Sequence, residues 1–200
     1  IGADAVLVVV PYYNKPPQRG LFEHFTKIAN SIKIPLILYN VPGRTITSLS
    51  LDTIVELSKN PNIIGIKEAT GDIEFAEKIR REVPKDFILL SGDDGTFVDF
   101  MKIGGNGVIS VTSHVFPKKM SQWYLSALKN EFENSQVENK NLLKLTNLLF
   151  SEANPIPVKK AAQFMGLISS AELRLPLVEL DKKLAEDLKN EMLKMGILNG

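Results

Sequence analysis

The sequence predicts an α/β fold that is built on a parallel sheet and is followed by a helical segment. Five short apolar runs begin near residues 6, 36, 63, 87 and 108, and a stretch with the apolar spacing of a helix separates each run from the next. Strands that alternate with helices in this way, and that are apolar along almost their whole length, are typical of a parallel sheet with covered faces.

Two architectures contain this alternation: an open doubly wound sheet and a (β/α)₈ TIM barrel. Each apolar run ends in a polar loop with glycine or proline, and candidate functional groups lie at these ends, among them Tyr13, Arg44, Lys67, Thr70 and Asp93. A site assembled from several strand ends is typical of the barrel, whereas an open sheet gathers its ligand at one switch point. We therefore predict the barrel.

Local patterns predict each element of the first 116 residues. Ala5–Val10 is rich in valine and is closed by Pro11, which is typical of a buried strand. Asp72 is the predicted N-cap of the helix that follows it. The other predicted strands are Leu36–Tyr39, Ile63–Ile66, Phe87–Leu90 and Val108–Val111, and helices are predicted over Leu21–Ile32, Leu51–Leu57, Ile73–Val83 and Phe97–Met101.

Beyond Val111 the pattern becomes helical. Helices are predicted over Pro117–Phe132, around Leu142–Leu149, from the break at Asn154–Pro157 to near Gly166, and over Leu180–Met195. We assign residues 1–116 to five β/α units of a barrel. Residues 117–200 are assigned to the last barrel helix and a helical carboxyl-terminal extension.

Composition excludes several classes of partner and cofactor. Twenty-four basic and twenty-three acidic residues leave a net charge of +1, without a block of like charges, so neither nucleic acid nor a membrane is an expected partner. The chain has no cysteine and two histidines, so we expect no disulfide and no metal site. No signal peptide is evident, which predicts a cytoplasmic enzyme. The chain starts at Ile1 within a helix-to-strand turn, so we expect it to be part of a longer protein.

Lys67 is the leading candidate for chemistry. It directly follows the apolar run Ile63–Ile66, where partial burial favours the neutral amine, and a neutral amine can form a Schiff base with a ketone or aldehyde. The alternative is a solvated lysine that only marks the end of a strand, and this pattern alone does not exclude it.

Two neighbouring strand-end residues could assist Lys67. Tyr39 ends its own apolar strand and could transfer protons, or it could be an ordinary core tyrosine. Arg44 lies in a Pro-Gly turn and could bind a carboxylate through two hydrogen bonds, or it could be a surface arginine. Asp93 and Asp94 are better explained as the N-cap of the next helix than as metal ligands. Gly104–Gly107 precedes its strand and is interpreted as a helix end and turn, not as a phosphate loop.

Six motifs carry a resemblance to a known family. They are PYYNKP at Pro11–Pro16, YNVPGRT at Tyr39–Thr45, IGIKEATGD at Ile64–Asp72, LLSGDD at Leu89–Asp94, GVISV at Gly107–Val111 and NPIPVK at Asn154–Lys159. In this order and over almost the whole chain, they closely resemble the dihydrodipicolinate synthase family. The resemblance implies a (β/α)₈ barrel with a helical extension. It also implies that pyruvate condenses with L-aspartate 4-semialdehyde to give 4-hydroxy-tetrahydrodipicolinate in lysine and diaminopimelate biosynthesis.

The resemblance also implies roles for individual residues. Lys67 would form a Schiff base with pyruvate without a cofactor, Tyr39 would relay protons, and Arg44 would bind the carboxylate of the semialdehyde. Tyr13 would enter the proton relay of a neighbouring subunit across a dimer interface, in a homotetramer that is a dimer of dimers. Gly92, Ile109 and Thr70 complete the expected substrate pocket, with Ile109 contributing its backbone.

The chain departs from the family pattern in two respects. It lacks the Gly-Thr-Thr-Gly-Glu loop that supplies a threonine pair to the relay, and it has five predicted strands where a barrel needs eight. Three further units of about 30 residues would amount to roughly 90 residues. We therefore expect this chain alone to be unstable or inactive. The alternatives are N-acetylneuraminate lyase or a 2-keto-3-deoxy sugar-acid aldolase on the same scaffold, and a catalytically incompetent fragment or assembly module.

Overall fold

Five parallel strands form one sheet, in the order in which they occur along the chain. The structure is a computed structural model that describes residues 2–198, apart from the side chain of Asn134. The strands are β1 (Val6–Val9), β2 (Leu36–Asn40), β3 (Ile63–Glu68), β4 (Ile88–Ser91) and β5 (Gly107–Val108). The predicted parallel α/β sheet is confirmed.

Helices connect successive strands, as predicted. They are α1 (Gln18–Ser31), α2 (Pro42–Thr45), α3 (Leu51–Leu57), α4 (Ile73–Glu82) and α5 (Phe97–Lys102). The carboxylate of Asp72 accepts a hydrogen bond of 2.9 Å from the backbone N–H of Phe75, which confirms its role as the N-cap of α4. This bond satisfies one of the N–H groups that have no partner within the first turn of a helix.

The apolar core of the first unit is formed by one side of the strands and the inner faces of the helices. Its fully buried members include Leu21 and Phe25 of α1, Leu38 of β2 and Ile79 of α4. Strand β1 differs from the prediction of a buried strand, because Leu7 and Val9 are 44% and 37% exposed. Side chains alternate along a strand, so Val6 and Val8 pack on the core while Leu7 and Val9 lie on the opposite face.

Strand β5 is shorter than predicted. The ladder ends at Val108, although the backbone N–H of Ile109 still donates to the carbonyl of Ser91 at 2.9 Å. The next residue starts a turn, because the side-chain oxygen of Ser110 accepts from the backbone N–H of Ser113 at 2.9 Å. This local bond competes with the continuation of the strand.

The chain divides into two units between Ile109 and Ser110. The second unit contains a 3₁₀ turn (Thr112–His114), α6 (Pro117–Leu128), α7 (Phe132–Leu149), α8 (Ile156–Phe164) and α9 (Lys182–Lys194). Helix α6 ends four residues earlier than predicted, at a turn in which Asn130 has a φ of 60°. The predicted assignment of residues 1–116 and 117–200 to barrel units and extension stays a prediction.

The described residues contain neither a membrane-spanning helix nor a metal site. Within residues 2–198, no helix is both long and apolar enough to cross a bilayer. Within the same residues, no three His, Asp or Glu side chains come close enough together to hold a metal ion.

Candidate active site

The register of the sheet brings Lys67 beside Tyr39. The pairing of β2 with β3 shifts by one residue between Leu36 and Ile37, so that Tyr39 pairs with Lys67 and Asn40 pairs with Glu68. The Nζ atom of Lys67 lies 4.2 Å from the centroid of the Tyr39 ring. Both side chains are half-buried at the carboxyl edge of the sheet.

Burial and charge change the acid–base properties of this pair. The pKa of Lys67 is lowered, first by burial and then by the positive charge of Arg44, while the negative charge of Asp94 acts in the opposite direction. The pKa of Tyr39 is raised by burial, and Arg44 opposes that shift. The lower pKa of Lys67 increases the fraction of neutral amine, and the higher pKa of Tyr39 keeps the proton on its phenol. The pair can therefore act as a nucleophile and a proton donor.

Arg44 is positioned by the short helix α2, which directly follows β2. Pro42 occupies the first turn of this helix, and the backbone N–H of Arg44 donates to the carbonyl of Val41 at 2.9 Å. The predicted Pro-Gly turn is thus one turn of helix. Arg44 is exposed, and its charge acts on both Tyr39 and Lys67.

Gly92 lies against the side chain of Lys67. A Cβ atom at this position would lie 2.9 Å from Cε of Lys67 and 2.5 Å from Cβ of Ala69. The backbone N–H of Gly92 donates to the carbonyl of Glu68 at 2.7 Å. Because any side chain here would collide with Lys67, glycine leaves the space that the lysine occupies.

The other predicted site residues lie on loops. The backbone N–H of Thr70 donates to Oε1 of Glu68 at 2.6 Å, and its hydroxyl accepts from the N–H of Asp72 at 3.1 Å. Thr70 therefore shapes the loop after β3. Ile109 is partly exposed beside β4. Tyr13 is 89% exposed with a φ of 61°, so the structure places it on the surface of this chain.

Three polar residues near Lys67 were not predicted to take part in the site. Asn40, Glu68 and Asp94 are buried, and the first two end the strands that carry Tyr39 and Lys67. For Asn40 and Glu68, the signal in the sequence was a polar residue on the covered face of an otherwise apolar strand.

The prediction that Asp93 and Asp94 form the N-cap of the next helix is corrected in one detail. Asp93 accepts from the backbone N–H of Thr96 at 2.8 Å, so it stabilises the turn in front of α5, but the N-cap residue itself is Thr96. Asp94 acts electrostatically on Lys67, which the capping interpretation did not include.

A parallel α/β sheet with a half-buried amine, a phenol and a guanidinium at the carboxyl ends of its strands fits the TIM-barrel class of enzymes. The sequence model described as "Dihydrodipicolinate synthetase family" matches residues 1–195. The chain belongs to this family, and the resemblance inferred from its motifs is confirmed.

Curated relatives carry the name 4-hydroxy-tetrahydrodipicolinate synthase. The protein of Bdellovibrio bacteriovorus is 57% identical over 198 residues, which are 99% of this chain and 68% of that relative. The protein of Pseudomonas aeruginosa is 49% identical over 197 residues, which are 98% of this chain and 67% of that relative. The chain thus spans about two thirds of the length of these relatives.

Solved structures of dihydrodipicolinate synthases have the same fold. The structure from Aquifex aeolicus gives a TM-score of 0.95 at 39% identity, covering 100% of this chain and 68% of the other. The chloride-inhibited enzyme from Acinetobacter baumannii, complexed with pyruvate, gives 0.95 at 45% identity, covering 98% of this chain and 67% of the other.

Proposed function

We propose that this protein is a lyase that condenses pyruvate with L-aspartate 4-semialdehyde to give 4-hydroxy-tetrahydrodipicolinate, in lysine and diaminopimelate biosynthesis. The observation that carries the proposal is the half-buried pair of Lys67 and Tyr39, with the amine 4.2 Å from the ring centroid. The synthase name of the relatives favours this substrate pair over the sialic acid and sugar-acid aldolases.

The chemistry follows from the states of these groups. The neutral amine of Lys67 attacks C2 of pyruvate to form a C–N bond, and the carbonyl oxygen takes a proton from Tyr39. The Tyr39 phenolate recovers a proton from the attacking nitrogen and donates it to the same oxygen, which leaves as water and gives the Schiff base. The phenolate then takes a proton from C3 to give an enamine. C3 of the enamine forms a C–C bond with the aldehyde carbon of the second substrate, and the aldehyde oxygen takes the proton from Tyr39. The amino group of that substrate then attacks C2, closes the ring and releases Lys67.

The remaining predicted residues have supporting roles in this proposal. Arg44 binds the carboxylate of the semialdehyde through its guanidinium. Gly92 and the backbone of Ile109 line the pyruvate pocket, and Thr70 shapes its edge. Tyr13 joins the proton relay of a neighbouring subunit, within a tetramer that is a dimer of dimers. No cofactor or metal takes part, and the enzyme works in the cytoplasm.

We also propose that the five strands belong to a (β/α)₈ barrel. The family relationship and the unbroken order of parallel strands support this architecture. Leu7 and Val9, which are partly exposed on the edge strand β1, are typical of a surface that a further strand or subunit covers.

Borohydride trapping tests the proposed function. The intact protein is incubated with pyruvate, the adduct is reduced with sodium borohydride, and the modified peptide is identified by mass spectrometry. We expect a reduced pyruvate adduct at Lys67. Lys67→Ala should abolish it with the fold retained, whereas Lys59→Ala, which removes an exposed lysine of the same unit, should not. An unlabelled Lys67 in the wild-type protein would refute the Schiff-base mechanism. Consumption of aspartate semialdehyde, compared with sugar aldehydes, then tests the second substrate.

A further inference from the structure

Glu68 is a buried acidic residue next to the proposed nucleophile. It ends β3 directly after Lys67, and because side chains alternate along a strand, its carboxylate lies on the opposite face of the sheet. The residue is 2% exposed. Asn40, which directly follows Tyr39 and ends β2, is 0% exposed and pairs with Glu68 in the register of the sheet.

The two side chains form a hydrogen-bond network that reaches each part of the site. Asn40 donates from Nδ2 to Oε2 of Glu68 at 2.8 Å. The other oxygen of Glu68 accepts from the backbone N–H of Thr70 at 2.6 Å. The Oδ1 atom of Asn40 accepts from the backbone N–H of Leu49 at 3.0 Å and from the hydroxyl of Ser48 at 3.3 Å.

These bonds connect the segments that carry the reacting groups. Glu68 holds the end of β3 and the loop after it, while Asn40 holds the end of β2 and the chain that returns from α2. The buried pair thus joins the ends of the strands that carry Tyr39 and Lys67. Arg44 lies within the loop that Asn40 closes through its bonds to Ser48 and Leu49.

A carboxylate at this position is costly for stability. Burial raises the pKa of Glu68, and the hydrogen bonds from Asn40 and Thr70 oppose this shift. A pair of apolar side chains would avoid the desolvation of a charge, but it would not impose directional contacts. The directional contacts of Glu68 fix a geometry that an apolar pair would leave free.

We propose that Glu68 is a positioning residue that acts through Asn40 to hold Lys67 beside Tyr39 and to place the segment bearing Arg44. The inference deepens the proposed function and rests on it. Its physical basis is that a misplacement of about 1 Å at a reacting group can reduce a rate about 100-fold.

Two single variants and their combination test the pair. In Glu68→Gln, the amide offers one oxygen to the two donors that the carboxylate serves, Asn40 and the N–H of Thr70, so one of these two contacts is lost. In Asn40→Asp, two carboxylates face one another. In the double variant, Nε2 of the glutamine donates to the new aspartate, whose other oxygen can still accept from Leu49. The contact is thereby restored with its polarity reversed.

Steady-state kinetics give the first readout. We expect kcat to fall by about 10- to 100-fold in each single variant, with little change in KM for pyruvate, and to return to within about threefold of the wild type in the double variant. Glu191→Gln is the matched control, because it neutralises another buried glutamate, which pairs with Lys144 at 2.6 Å in the second unit. This variant should keep the wild-type kcat.

A second readout does not depend on pyruvate. Acylation of Lys67 by acetic anhydride, followed by mass spectrometry across a pH series, reports the pKa of the amine. Displacement toward solvent should raise the midpoint by about 0.5 pH unit or more in Glu68→Gln, and the double variant should reverse the change. If wild-type Lys67 does not trap pyruvate but the midpoint still shifts and recovers, the proposed function fails and the positioning role stands.

Two results would overturn the positioning role. One is a wild-type kcat together with a wild-type acylation midpoint in both single variants. The other is a loss of kcat that follows the loss of folded protein, measured by circular dichroism, with no recovery in the double variant.

Discussion

At the scale of single residues, two opposite charges act on the amine of Lys67. Arg44 lowers its pKa, and Asp94 raises it. We therefore expect Arg44→Gln to raise the pKa of Lys67, because the protonated amine loses a repulsive charge. Asp94→Asn should lower the pKa of Lys67, because the protonated amine loses an attractive charge. The pH dependence of borohydride trapping measures both shifts. Arg44→Lys keeps the charge and should leave the midpoint near that of the wild type. Shifts of the same sign in the two neutral variants would contradict this account.

The space beside Lys67 depends on Gly92. In Gly92→Ala, the added Cβ would lie 2.5 Å from Cβ of Ala69 and 2.9 Å from Cε of Lys67. We expect a destabilisation of about 1–3 kcal/mol from overpacking, and slower trapping of pyruvate because the lysine is displaced. Urea denaturation and trapping rates measure the two effects. Gly43→Ala is the control, since its Cβ would meet nothing within 4 Å. Equal unfolding free energies of the two variants would show that the residues around Gly92 move to accommodate the added Cβ, which would contradict the prediction.

The positions of Lys67, Tyr39 and Arg44 at the strand ends could be predicted from the sequence, but the hydrogen bonds behind them could not. Lys67 and Tyr39 each follow an apolar run, and Arg44 lies in a turn after one. The bond between Asn40 and Glu68 depends on which residues face one another across two strands. That pairing involves groups 28 positions apart, and a propensity or a local period contains no information about it.

At the scale of elements, one irregularity in the sheet determines the site. Without the shift between Leu36 and Ile37, Tyr39 would pair with Ile66 and Asn40 with Lys67. A change of register by one residue moves a side chain to the other face of the sheet. The amine of Lys67 would then no longer lie beside the ring of Tyr39. The positions of the strands were predicted to within a few residues, but this shift had no recognisable signal in the sequence.

Helix α1 offers a direct test of the packing on the core face. Phe25 is fully buried in this helix, whereas Phe22 on the same helix is partly exposed. We expect Phe25→Ala to cost about 3–5 kcal/mol of unfolding free energy, because it leaves a cavity in the close-packed core. Phe22→Ala should cost less than about 1 kcal/mol. Urea denaturation followed by far-UV circular dichroism compares the two. A similar cost for both variants would mean that the face assigned to α1 is wrong.

At the scale of the whole molecule, the alternation of strands and helices was sufficient to predict the parallel sheet, because such connections leave few alternatives. The prediction of a buried β1 was wrong for a physical reason. An apolar run shows that a strand is compatible with burial on both faces, but it does not show what covers each face. Leu7 and Val9 are exposed although their sequence pattern is that of a core strand.

The exposed position of Tyr13 leads to a prediction about how two subunits form one site. Its side chain is 89% exposed, which suits the proposed role in the relay of a neighbouring subunit. Tyr13→Phe and Lys67→Ala should each have very low activity alone. When they are unfolded together and refolded as a mixture, each hybrid dimer contains one site with both an intact Lys67 and the partner's Tyr13.

For a symmetric dimer interface, equal mixing produces hybrids as about half of the dimers, so about a quarter of all sites should be intact. We therefore expect the mixture to recover up to about a quarter of the wild-type activity. Analytical ultracentrifugation before and after mixing confirms that the subunits have reassociated. Tyr39→Phe mixed with Lys67→Ala is the control, because both residues serve the same site within one chain and no hybrid can restore it. If Tyr13 acted within its own subunit, the first mixture would remain as inactive as the second.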